Sequence, residues 1–279
     1  MNRENAKNPR ATHFSSMEYI DNRDPKACVG QYRERLGRLL DAALTTLPTV
    51  KFNKHHPQHL AAICLYGTIF QSVSDSYRLM EEPANVAVPG IIRGLLESYA
   101  DLCAVILDRD YPKKMLATFN EEQRKHLEDM LKSPRNPFHA DVAARIDPVA
   151  RLKDIRSELD NFRSQKIFPL SVYERFQIAG LGDLYRTVYW QLCLHAHNNI
   201  VALEQRHVRR TSGDDFEIDV FAENPSHELG MYYDTITATL IDSTRRLYSL
   251  VGFPMPDSFQ RLLEEFEKFR AEATPILTT

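Results

Sequence analysis

Apolar residues recur every three to four positions along most of the chain. That is the period of an amphipathic α-helix, not the period of two that marks a half-buried strand. Val29, Tyr32, Leu36, Leu39, Leu40, Ala43, Leu44 and Leu47 define one such face, entered through Asp24-Pro25 and closed by Pro48. An N-cap carboxylate followed by proline in the first turn is a helix-start signal. His56-Pro57 opens a second helix, with Leu60, Ile63, Cys64, Gly67, Phe70, Val73 and Tyr77 on one side. Further helices are predicted over about 88–108, 112–132 and 147–165, the last so charged that it belongs at the periphery. A short helix from Ser171 leads to Gly180 and Gly182, and Asp183 caps a long one over about 184–208. Pro225 opens another, to about Leu250, and Asp257 caps a final one ending near Ala273. The run Phe216-Glu217-Ile218-Asp219-Val220 alternates instead, as a strand, a hairpin arm or an extended loop would.

The expected fold is therefore all-α: a single helical-bundle domain over residues 23–279, of about seven to eight helices, with at most one short β element near 216–220. Trp190 and Leu194 are expected to join Leu95 and Leu96 in its core. Residues 1–22 are polar and offer few apolar anchors, so they are expected to form a disordered or loosely attached N-terminal arm. Ten glycines in 279 residues are about half the usual share of roughly 7%, too few for a turn-rich all-β fold.

Charge narrows the classes of partner. A net charge of −3 argues against coating nucleic acid through a broadly basic surface, and leaves room for a local basic groove. The four cysteines, Cys28, Cys64, Cys103 and Cys193, form no C-x-x-C pair and sit in apolar helical patterns, which suits a reducing cytoplasm. The most apolar stretch, Ile91 to Leu107, is interrupted by Arg93, Glu97 and Asp101, so no membrane span is expected. The N-terminus has no apolar secretory h-region.

Two segments carry candidate chemistry. On the third helix, Arg93 and Glu97 lie four residues apart, opposite the apolar face, in a row continued by Ala100 and Ala104. Small residues there would let another helix approach and bury the pair. Solvated, the same pair is worth only about 0.2–0.5 kcal/mol. The later segment Cys193-Leu194-His195-Ala196-His197 places its two histidines about 200° apart on a helix, which disfavours joint metal chelation. A helical wheel puts His197 on the flank shared with Arg186 and Cys193, and His195 nearer water; a histidine on such a boundary is more often hydrogen-bonded structure than a catalyst. His55, His56 and His59 have no second set to complete a zinc site. Arg135 to His139 is interrupted by Pro137, and the basic run Arg206 to Arg210 suits a helix C-terminus. With no P-loop, dinucleotide fingerprint, H-E-x-x-H or G-x-S-x-G motif, neither a cofactor nor a metal is expected.

Arg93-Gly94-Leu95-Leu96-Glu97, followed about ninety residues later by Tyr189, Cys193 and His197, resembles a bacterial helical family of unknown function that pairs an Arg-x-Leu-x-Glu helix with a later small-residue-and-histidine helix. Cysteine stands here where serine is common. The resemblance covers roughly Leu60 to Val208. That family in turn resembles the HEPN domains (higher eukaryotes and prokaryotes nucleotide-binding), many of which are metal-independent ribonucleases of toxin–antitoxin and anti-phage systems. The resemblance implies an RNA substrate and a homodimer whose interface forms the site. It also implies a catalytic set of Arg93, Glu97 and His197, with histidine as general base and arginine stabilising the phosphorane. HEPN ribonucleases usually carry arginine and histidine on one helix with four to six residues between them; Arg186 to His195 or His197 is longer, which leaves His195 and Arg186 as second candidates. The other reading is a non-catalytic sensor or protein-interaction module whose Arg-Glu-His cluster is structural.

Overall fold

The computed structural model describes residues 25–82, 86–143, 145–197, 199–211 and 215–273. The arm expected over residues 1–22 lies outside them. The fold is all-α. Proline and side-chain caps start most elements. α1 (Pro25–Thr46), α2 (Pro57–Leu79), α3 (Val88–Leu107), α4 (Tyr111–Lys132), α5 (Pro137–Ala143) and α6 (Pro148–Ser164) each carry proline in the first turn, where its missing N–H would have had no partner anyway. Asp147 caps α6 by accepting from the amides of Val149 and Ala150. α7 (Val172–Ile178) and the single-turn α8 (Gly182–Leu184) follow. After them come α9 (Trp190–Ala196), α10 (Ile200–His207), α11 (Ser226–Val251) and α12 (Asp257–Ala273).

The main core is built around α2, α3 and α11, with α1, α7, α9 and α12 packed onto them. Ile69, Ile92, Leu95, Leu96, Phe176, Ile236 and Leu240 are fully buried in it. The charged helix α6 packs on α4 through Leu152, Ile155 and Leu159, which meet Leu127 and Met130 in a separate small cluster. Its outer face is exposed, as its charge requires.

Two expectations need correction. Eleven helices of seven residues or more are present among the described residues, not seven to eight. The excess comes from the short α5 and α7 and from the division of the segment expected as one helix over 184–208. That segment opens with α8, widens into a π-helical turn at Tyr185–Tyr189, continues as α9 to Ala196, and resumes as a separate helix, α10, from Ile200. The π turn holds more residues than an α turn and shifts the phase of everything after it. Asn199 then accepts from the Val201 amide as a fresh N-cap. The wheel drawn through 184–208 is therefore wrong beyond Tyr185, and Trp190, expected in the core, is 56% exposed; Leu194 is half-buried. Trp190 is the chain's single tryptophan, so its emission should resemble indole in water and quench readily with acrylamide; a blue-shifted, protected signal would contradict this placement. The β element is a pair of strands: β1 (Val208–Arg210) pairs antiparallel with β2 (Phe216–Ile218), Val208 opposite Ile218 and Arg210 opposite Phe216.

Candidate functional site

Arg93, Glu97 and Asp101 fall on one row of α3, at intervals of four residues. The buried Ala100 and Ala104 beside them let α7 and α9 approach closely. α7 is anchored by a capping box, in which the Glu174 amide donates to Ser171 Oγ and the Ser171 amide to Glu174 Oε2 at 2.7 Å. The Leu170 amide donates to Thr118 Oγ1 at 2.9 Å, tying this entry to α4. Arg175 thereby faces α3 and bridges two carboxylates, donating from Nη2 to Glu97 Oε2 at 3.0 Å and from Nη1 to Asp101 Oδ2 at 2.8 Å.

The remaining carboxylate oxygens are also occupied. Tyr189 Oη, at the end of the π turn, donates to Glu97 Oε1 at 2.7 Å, and Arg93 Nη2 lies 3.2 Å from the same oxygen. Arg93 Nε donates to Tyr189 Oη at 3.2 Å. Tyr111 Oη donates to Asp101 Oδ1 at 2.6 Å. Burial, with Asp101 alongside, pushes the Tyr111 phenol upward; burial and Glu97 do the same to Tyr189, so both remain neutral donors. Burial also raises the Asp101 pKa, against the pull of Arg175 and Tyr111. Burial works against the Arg175 charge, but Asp101 and Glu97 more than offset it. The six side chains join α3, α4, α7 and the π turn beside a cleft of about 680 Å³.

The expected trio is only partly assembled. Arg93 and Glu97 meet, at 28% and 23% side-chain exposure. His197, expected to be buried beside them, is exposed; it is the residue that ends α9, and its side chain has no hydrogen bond or ion pair among the described residues. The cause is the same phase shift: Tyr189 takes the place beside Arg93, with Cys193 in electrostatic reach of both. Arg186 is exposed and leans toward Asp183 and Tyr173, at 3.7 and 3.4 Å.

His195 has a different setting. It is half-buried and lines a second cavity, of about 320 Å³, with Val86, Ala87 and Gly90 at the start of α3 and Arg206 and His207 on α10. Burial lowers its pKa below the ordinary histidine value; Glu228 opposes this and Arg206 adds to it. His207 shares its Nδ1 with the backbone oxygen of Asp219 at 2.9 Å. A carbonyl can only accept, so Nδ1 carries the proton and Nε2 is left available. Spacing alone did not single out His207 or Arg175, because their neighbours are distant in the chain. Among the described residues no group of three or more His, Cys, Asp or Glu side chains is arranged to hold a metal ion, and no helix is long and apolar enough to cross a membrane.

Residues 59–216, more than half of the chain, match a family described as a family of unknown function (DUF5677). The chain belongs to this family. No curated protein and no solved structure gave a significant match. The DUF5677 segment runs from the first turn of α2 to the first residue of β2. It contains all six members of the Arg93–Arg175 cluster and His195, Arg206 and His207 as well. α1, α11 and α12 lie outside the DUF5677 match although they supply part of the main core.

Proposed function

We propose that this is a HEPN-like helical protein of a bacterial defence or toxin type that cleaves RNA without a metal, with His195 as the proton acceptor. The observation that carries this reading is the cavity where His195, His207 and Arg206 gather at the N-terminal end of a 20-residue helix. A neutral imidazole is the form that accepts a proton, and burial favours that form at His195. In the proposed step His195 takes the proton of a ribose 2′-hydroxyl and the 2′-oxygen attacks phosphorus. The bond to the 5′-oxygen breaks, and that oxygen takes the proton that His195 had accepted. Arg206 and the first amides of α3 face the charge that develops on the phosphorane. Products would carry a 2′,3′-cyclic phosphate and a 5′-hydroxyl. Incubating the full-length protein with RNA in excess chelator tests this: cyclic-phosphate ends should accumulate, and Arg206→Ala should slow their formation. Absence of cleavage, or cleavage that stops with chelator, overturns it.

The second reading is the non-catalytic helical module. Its support is that all four carboxylate oxygens of Glu97 and Asp101 already accept a hydrogen bond or ion pair within the cluster. Such a set acts as a strut between helices.

A further inference from the structure

The β1–β2 pair presents an uncovered apolar face. The register puts Val208, Arg210, Phe216 and Ile218 on one side, and Arg209 and Glu217 on the other. Phe216 and Ile218 are 57% and 61% exposed, and Val220 and Phe221, just beyond β2, are 67% and 80% exposed. Two strands with one apolar face open to water are marginal on their own. The pair is tied at its base, where the Asp219 amide donates to the His207 carbonyl at 2.8 Å and Arg209 pairs with Asp219. Something else has to cover the face.

The position of α1 identifies the occupant. Tyr32 Oη donates to Asp234 Oδ1 at 2.8 Å and its ring lies 6.5 Å from that of Tyr233. Farther along the same two helices Thr46 stands near Tyr248. α1 and α11 therefore run parallel and in step. Pro25 and Ser226 both lie about 10 Å before the Tyr32–Tyr233 contact, at 1.5 Å rise per residue, and so stand at the same level. Ser226 begins the helix into which the strand pair returns, and Pro25 is where the N-terminal segment leaves the body. The segment's apolar residues, Phe14, Met17, Tyr19 and Ile20, are five to eleven residues back from Pro25, within roughly 17–37 Å of it in extended chain.

We propose that residues Phe14–Ile20 seat on the apolar face of the β1–β2 pair of their own chain. Val208 directly follows His207, so the seated segment also borders the histidine cavity. The proposal does not depend on RNA cleavage. Amide hydrogen exchange on the full chain tests it, with Phe14→Asp/Tyr19→Asp as the disrupting variant and Phe216→Asp as its reciprocal. In the unaltered protein, amides of 14–20 and 208–218 should both be protected. Either variant should lose about tenfold or more of that protection in both segments, while α2 and α3 are unchanged. Random-coil exchange of 14–20 in the unaltered protein overturns the proposal. So does protection of the strand pair that survives Phe14→Asp/Tyr19→Asp and rises with protein concentration alongside the scattering mass, which assigns the face to a second copy.

Discussion

Replacing His195 by alanine is expected to lower RNA cleavage by about 10²–10⁴-fold, the usual contribution of a positioned general base, while the melting temperature moves by less than roughly 4 °C. The small thermal effect follows from the half-buried position of His195, whose side chain has no hydrogen bond among the described residues that its removal would orphan. The pH profile supplies a second readout. Burial lowers the His195 pKa below 6.5, so the acid limb of the rate should fall below that value, as protonation removes the acceptor. His197→Ala is the control: an exposed side chain at a helix end should leave the rate within about twofold. His195→Ala cleaving at the unaltered rate would remove the ribonuclease reading as stated. The interaction-module reading would then rest on the six-residue cluster alone.

Much of the architecture was legible because local chemistry punctuates it. Asp24-Pro25, His56-Pro57, Asp147-Pro148, Ser171 with Glu174, and Asp257 mark helix starts that tertiary contacts do not move. The stretch 184–208 carried only the cap expected of Asp183, which instead lies inside α8, where Leu181 holds the cap position with no side-chain cap. Tyr185, Val188, Tyr189 and Leu192 suit an α or a π turn equally, so their spacing does not register the widened turn that decides which side chain meets Arg93. The Arg93–Glu97 pair was legible from its interval of four, and Asp101 continued the same interval. Asp101 counted only as a charge interrupting an apolar run, because nothing local says that a carboxylate there has Tyr111 and Arg175 as partners. Arg175 lies 78 residues from Glu97. Its role follows from how α7 is set down on α3, a tertiary fact with no local signal.

Arg175→Ala is expected to destabilise the fold by about 3 kcal/mol, the lower end of what breaking a buried ion pair costs, and to lower the melting temperature by roughly 6–12 °C. The substitution removes the guanidinium through which α7 grips both Glu97 and Asp101, and it leaves Asp101, 7% exposed, with Tyr111 as its one hydrogen-bond donor among the described residues. The acid dependence distinguishes this cause from lost packing. Burial already raises the Asp101 pKa with Arg175 present. Without the guanidinium it rises further. A carboxyl whose folded pKa is above its unfolded value binds protons more tightly when folded, so its burden on stability is present above the folded pKa and fades as pH falls through it. The gap in melting temperature between Arg175→Ala and the unaltered protein should therefore narrow from pH 7 toward pH 5. Adding Asp101→Asn to Arg175→Ala should recover part of the loss at pH 7 and flatten the pH dependence, since the amide accepts from Tyr111 without carrying charge. A gap that stays constant with pH and ignores Asp101→Asn would show that Arg175 matters for the volume it fills between α3 and α7, and that the carboxylates beneath it are sufficiently hydrated from the 680 Å³ cleft.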